Sequence, residues 1–130
     1  MSRSTYFSAS PGESFSMTNA QAVTAILYPY AEHTSFDWTY YLDHHIPLAR
    51  RLFDEHGLIT VTVDRGLHGT TPDTPPPFVA VTRMEFASMD SMTAGVAAVG
   101  AVFAADVANF TDIVPVLQTA SRQYDAAGLG

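Results

Sequence analysis

Two residue types are missing from this 130-residue chain: cysteine and lysine. Without cysteine there is no disulfide framework, no thiolate nucleophile, no Cys-ligated zinc and no iron–sulfur cluster. Without lysine no Schiff base can form, which removes pyridoxal and class-I-aldolase-type chemistry. Basic charge is scarce as well. Six arginines stand against 13 acidic residues, for a formal charge of −7, the reverse of the footprint that phosphate neutralisation demands, so no nucleic-acid partner is expected. No uninterrupted apolar run approaches the ~20 residues of a transmembrane helix. Residues 1–20 also lack the apolar core of a signal peptide, so no membrane association and a cytoplasmic location are expected.

The composition, 47% hydrophobic and only 15% charged, is that of a globular domain. Residues 1–20, rich in serine and carrying Pro11-Gly12, read as a flexible N-terminal tail. The folded domain is expected over 21–122, followed by a short C-terminal tail at 123–130. The low charged fraction favours an additional buried surface, either a subunit interface or a ligand cavity.

Val23 to Tyr30 is nearly continuously apolar, as in a central strand covered on both faces. Thr34-Ser35-Phe36-Asp37 has a helix-start pattern, and a helix is expected from about Phe36 to His56, ended by Gly57. Pro47 interrupts it, predicting a kink or break near His44–Ile46. Leu58 to Leu67 alternates as a second strand, with Ile59, Val61 and Val63 on one face. A loop with four prolines between Thr70 and Pro77 separates it from a third strand, Phe78 to Phe86. Ser88 can cap a second helix, whose Met89, Met92, Val96, Val99 and Phe103 recur at helical spacing. A last strand is expected near Ile113–Thr119, and Pro115 within it argues for an edge position. The order β-α-β-β-α-β is that of a ferredoxin-like α+β fold with a four-stranded antiparallel sheet and both helices on one face. The free sheet face then needs a cover, and a second copy packed face to face, forming a dimeric α+β barrel, is the economical one.

Chemistry concentrates in Phe36-Asp37-Trp38-Thr39-Tyr40-Tyr41-Leu42-Asp43-His44-His45-Ile46-Pro47-Leu48. Tyr41 and His45 are four apart, as are Asp37 and Tyr41, so a carboxylate, a phenol and an imidazole can share one helix face. His45, Tyr41 and Asp37 are the candidate catalytic residues, with imidazole able to act as acid or base near neutral pH. Tyr40 and Trp38 on the same helix are candidate substrate contacts. So are Arg83 and Glu85, which share one face of the third strand and could equally form a surface ion pair. His44 points away from His45 on a helix, and no H-E-x-x-H, phosphate loop or nucleotide fingerprint occurs. No metal and no cofactor are expected.

Three ordered stretches together resemble one family. Phe36-Asp37 through Tyr40-Tyr41, His45, Pro47-Leu48 and Gly57-Leu58 is similar to the F-D-x-x-Y-Y-x-x-x-H-x-P-L…G-L stretch of the EthD family, named for ethyl tert-butyl ether degradation. Phe78-Val79-Ala80-Val81…Glu85-Phe86 resembles that family's third strand. Asp106 to Gln118 resembles its closing D-x-x-N-F-T-D-x-x-P-x-x-Q segment. The resemblance spans about 22–121. It implies a dimeric α+β barrel, with His45 as the family-position histidine and Tyr41 and Asp37 beside it. Relatives of this shape include polyketide dehydratases and cyclases, muconolactone isomerases and cofactor-free monooxygenases. Two function classes therefore stand side by side. One is a cofactor-independent isomerase, dehydratase or cyclase acting on a small hydrophobic, aromatic or polyketide-like compound. The other is a non-catalytic binding protein, or an accessory to an oxygenase or ether-degradation system.

Overall fold

The structure, a computed structural model, describes residues 20–126. The expected N-terminal tail therefore lies almost wholly outside the described residues, as do 127–130 of the C-terminal tail. Four strands, β1 (Ala22–Pro29), β2 (Leu58–Arg65), β3 (Phe78–Phe86) and β4 (Val116–Ser121), form one antiparallel sheet in the order β2-β3-β1-β4. The central position of β1 accounts for its apolar run, since it pairs with β3 on one side and β4 on the other. β4 is an edge strand as expected. Pro115 precedes it instead of lying within it, because a residue without an N–H cannot join the ladder to β1. In β2 a register shift between Leu58 and Thr60 drops Ile59 out of the pairing, so Val61 and Val63 alone keep the expected alternation.

The first helical segment occupies 38–56 in four consecutive pieces. A turn of α-helix, α1 (Trp38–Tyr40), passes into a π-helical turn (Tyr41–His45), then α2 (Ile46–Phe53), then a 3-10 turn (Asp54–His56). The expected break at Pro47 is thus a widened turn. Within it the Ile46 N–H donates to the Tyr41 carbonyl, five residues back. Pro47 then enters at the first turn of α2, where its missing donor costs nothing. The helix begins at Trp38 and not Phe36, because Phe36 is held in a bridge to Thr111 and the Asp37 carboxylate caps the Tyr40 N–H at 3.0 Å.

Gly57 ends the segment with φ +84°, and a Cβ there would stand 2.9 Å from the Ser91 Cβ. Gly57→Ala is therefore expected to destabilise by more than about 1 kcal/mol, as a urea denaturation midpoint would register. The second long helix, α3 (Met89–Ala105), starts at Ser88, whose hydroxyl accepts from the Ser91 N–H at 3.0 Å. At Gly95 it approaches the end of the first helical segment closely, since a Cβ there would lie 2.8 Å from the His56 Cβ in the 3-10 turn and 3.2 Å from the Phe53 ring at the end of α2.

Only Met92, Gly95 and Phe103 of α3 are buried, with Val99 half-buried, whereas Met89 and Val96 of the expected stripe are exposed. Between Asp90 and Asp106 the helix carries no charge, so its periodicity had no polar face with which to select the buried one. The stretch 89–109 is apolar and long enough to cross a bilayer by length and composition, yet it is docked on the domain through those buried side chains. Alternation in the paired strands sends Ala22, Ile26, Tyr28, Met84 and Phe86 inward beneath the helices, where they meet Tyr41, Phe53, Phe103 and Phe110 in one core. The opposite sheet face mixes Val23, Ala25, Leu27, Val79 and Val81 with Thr60, Thr62, Asp64, Arg83, Glu85 and Gln118.

Candidate functional site

The helical segment 38–56 and the 3-10 turn that follows α3, Asp106–Asn109, meet at one side chain. His45, 1% exposed, stacks on Phe103 at 4.2 Å between ring centroids and on Tyr41 at 5.3 Å, with Phe110 tilted against it at 4.6 Å. Its Nδ1 lies 2.8 Å from Asp106 Oδ2. The other oxygen of Asp106 accepts from the Tyr40 hydroxyl at 2.7 Å and from Asn109 Nδ2 at 2.9 Å.

Burial opposes ionisation of Asp106, but the hydrogen bonds from His45, Tyr40 and Asn109 outweigh it and hold the carboxyl below its ordinary range. An ionised carboxylate can only accept, so Nδ1 carries the proton, and Nε2 is left with a lone pair and no protein partner among the described residues. Burial lowers the His45 pKa below its ordinary value, and the opposing bond and charge of Asp106 do not restore it. A neutral imidazole presenting a basic Nε2 is the resting form at neutral pH.

His45 forms part of the wall of a cavity of about 360 Å³ between the inner sheet face and α3. Phe53, Met84, Phe86 and Phe103 make its lining apolar. Val96 on α3 and Leu117 on β4, 52% and 63% exposed, give it an apolar rim. The cavity lies beneath α3 and not under the start of the first helical segment. The π turn and the bulky Tyr41 fill the space there, while the small residues of α3 leave room.

The other sequence candidates fall in different places. Tyr41 is fully buried beside His45, but its hydroxyl is bonded to Thr82 Oγ1, a short contact that leaves it away from the imidazole nitrogens. Asp37 is not the carboxylate that orients His45, because capping the helix start commits it to the Tyr40 N–H. Asp106 has that place instead. Tyr40 contributes through Asp106 and does not line the cavity. Trp38 packs on Phe36 at 4.6 Å and under the Arg65 guanidinium at 5.1 Å, along a separate surface depression.

Arg83 and Glu85 project from the sheet face opposite the cavity, by the same alternation that sends Met84 into it. There Glu85 is paired with Arg122 at 2.7 Å, and more loosely with Arg83 at 3.9 Å. Asp106, Asn109 and Phe110 are the residues that reading along the chain overlooked as site members, although they open the D-x-x-N-F stretch. Tyr28 is a fourth. It lines the cavity, and its wholly buried hydroxyl has no hydrogen-bond partner. Burial first, then the neighbouring Tyr41 phenol, push its pKa up. Among the described residues no cluster of three or more His, Asp or Glu is arranged to hold a metal ion.

This ionisation pattern has a stability signature. The unfolded chain takes up a proton on His45 near pH ~6.5, while the folded site resists it. Stability present above that pH is therefore lost as pH falls from it toward the folded value. Asp106, held low, adds stability that disappears as pH drops through its own folded value, so both groups make acid destabilising. Urea midpoints measured from about pH 8 to about pH 4 should fall, and His45→Gln should flatten the portion just below pH ~6.5 while sparing the carboxylate portion.

The sheet order and the two helices on one of its faces define a ferredoxin-like α+β domain, here with a buried imidazole paired to a half-buried carboxylate beside an apolar cavity. Residues 31–113 match the EthD domain, and the chain belongs to the EthD family. An EthD-like protein from Ralstonia eutropha JMP134 is 35% identical over 78% of this chain and 90% of its own, with a TM-score of 0.72. An ethyl tert-butyl ether degradation (EthD) family protein from Bacillus halodurans C-125 is 19% identical, covering 79% of this chain and 99% of its own at a TM-score of 0.61. SnoaB from Streptomyces nogalater, a cofactor-independent oxygenase, shares the fold at 10% identity and a TM-score of 0.52, over 84% of this chain and 100% of its own. No match is found among curated proteins.

Proposed function

We propose that this protein is a cofactor-independent acid–base enzyme acting on a small apolar compound held in the cavity beneath α3. The observation that carries this reading is the pairing of His45 Nδ1 with Asp106 on the wall of that cavity, which leaves Nε2 as a base in an apolar setting. Asp106 fixes the tautomer, Tyr40 and Asn109 hold Asp106, and the ring stack on Phe103 and Tyr41 fixes the imidazole plane. A base so placed takes a proton from carbon or oxygen next to a carbonyl and returns it elsewhere, the common element of isomerisation, dehydration and cyclisation. The fold is shared with a cofactor-independent oxygenase, which supports chemistry done by side chains alone.

The test is hydrogen exchange, which needs no knowledge of the later steps. An enolisable aromatic ketone such as 2-tetralone is incubated in D₂O with the protein and followed by NMR. Catalysed exchange that depends on His45 supports the enzyme. Binding without exchange would support a carrier instead.

The second copy belongs to the same proposal. Val23, Ala25, Leu27, Val79 and Val81 make an apolar stretch along the two central strands of the outer sheet face, with Arg83 and Glu85 opposite Ala25 and Val23, and a second copy packed face to face is its proposed cover. Light scattering should give the mass of a dimer for the wild type and of a monomer for Ala25→Glu; an unchanged dimer in the variant would reject this interface.

A further inference from the structure

The cavity's polarity is one-sided. Its polar side chains are Thr24, Tyr28 and His45. The Thr24 hydroxyl donates to the Met92 sulfur at 3.0 Å, and the Tyr28 hydroxyl has essentially no accessible surface. That leaves the His45 ring, whose Nδ1–H is used on Asp106 and whose Nε2 therefore accepts. The side chains thus offer a bound molecule acceptors, His45 Nε2 and the lone pairs of Thr24 Oγ1, and no free donor.

We propose that the ligand is an apolar compound bearing an acidic hydroxyl, a phenol or an enol, which donates to His45 Nε2, and that ethers of the same shape are rejected. The proposal rests on the reading of His45 as the cavity's base and names the substrate class for it. An ether sets its lone pair against that of Nε2 and leaves the nitrogen desolvated and unpaired. A site built to hydrogen-bond one group discriminates strongly against an analogue that cannot reciprocate. The groups facing His45 are Asp106 from the 3-10 turn, Tyr41 and, through Asp106, Tyr40 from the first helical segment, Tyr28 from the cavity wall on β1, and the uncharged rings of Phe103 and Phe110. Asp106 is the one charged group among them at neutral pH, and its charge favours a donor arriving at Nε2.

The probes are 1-naphthol and 1-methoxynaphthalene, titrated calorimetrically at neutral pH. The expected result is at least about tenfold tighter binding of the naphthol, lost in His45→Phe, whose ring has no acceptor. A second measurement does not depend on a variant. In long-range ¹H–¹⁵N spectra the Nε2 resonance of wild-type His45 should move upfield with the naphthol and stay in place with the ether. Equal affinities, tighter binding of the ether, an unmoved Nε2 resonance, or no binding of either probe would each overturn the proposal. Hydroxyl-selective binding without 2-tetralone exchange would uphold it and defeat the catalytic reading. Exchange without hydroxyl selectivity would do the opposite.

Discussion

His45→Gln is expected to lower catalysed hydrogen exchange in 2-tetralone by about 10²–10⁴-fold while the chain remains folded. Glutamine is chosen because its amide can donate to Asp106 Oδ2, 2.8 Å from the native Nδ1, so the carboxylate is not stranded. What it lacks is a basic nitrogen at the cavity wall. Asp106→Asn should give a smaller loss with a different signature. The imidazole stays but is no longer fixed as the Nδ1–H tautomer, so the acidic limb of the rate–pH profile should shift. Circular dichroism and urea midpoints serve as the folding control. Exchange undiminished in folded His45→Gln would defeat the assignment.

The second large effect concerns stability. Tyr41 is wholly buried among Tyr28, Phe36, Trp38, His45 and Phe110, and its hydroxyl bonds to the equally buried Thr82. Tyr41→Ala is expected to cost about 3–5 kcal/mol through the void it leaves. Tyr41→Phe keeps the ring but strands Thr82 Oγ1, and Thr82→Val strands the Tyr41 hydroxyl; each should cost about 1–3 kcal/mol. The double variant removes both partners, so its loss should fall well short of the sum of the two. Tyr28→Phe is the counterpart. Its buried hydroxyl already lacks a partner, so deleting it should be neutral or stabilising. Additive losses in the first pair, or a large loss in Tyr28→Phe, would contradict this account of the buried hydroxyls.

These residues also mark how far the chain could be read in one dimension. β3 matches its expected bounds, because alternation in Phe78–Phe86 is clean and a proline-rich loop precedes it. Gly57 and Ser88 punctuate the helices where expected, since a positive φ and an N-cap are local requirements. Tyr41 and His45 could be paired from spacing alone, since both sit on one helical segment, and the widened turn before Pro47 keeps their rings stacked. Asp37 misled by the same rule. Four-residue spacing aligns side chains only within a helix, and an N-cap residue turns its side chain back on the backbone instead.

The composition fixed which chemistries are closed: thiolate and Schiff-base chemistry fail for want of Cys and Lys. Local sequence determined the element order, the caps and the identity of the imidazole. Its carboxylate partner, 61 residues away in the chain, was decided only by the docking of α3 on the sheet, which brings the turn at Asp106 against His45. The location of the cavity was decided there too. No periodicity in an almost wholly apolar helix can say which of its faces leaves a space, because that depends on the volumes of side chains contributed by other elements.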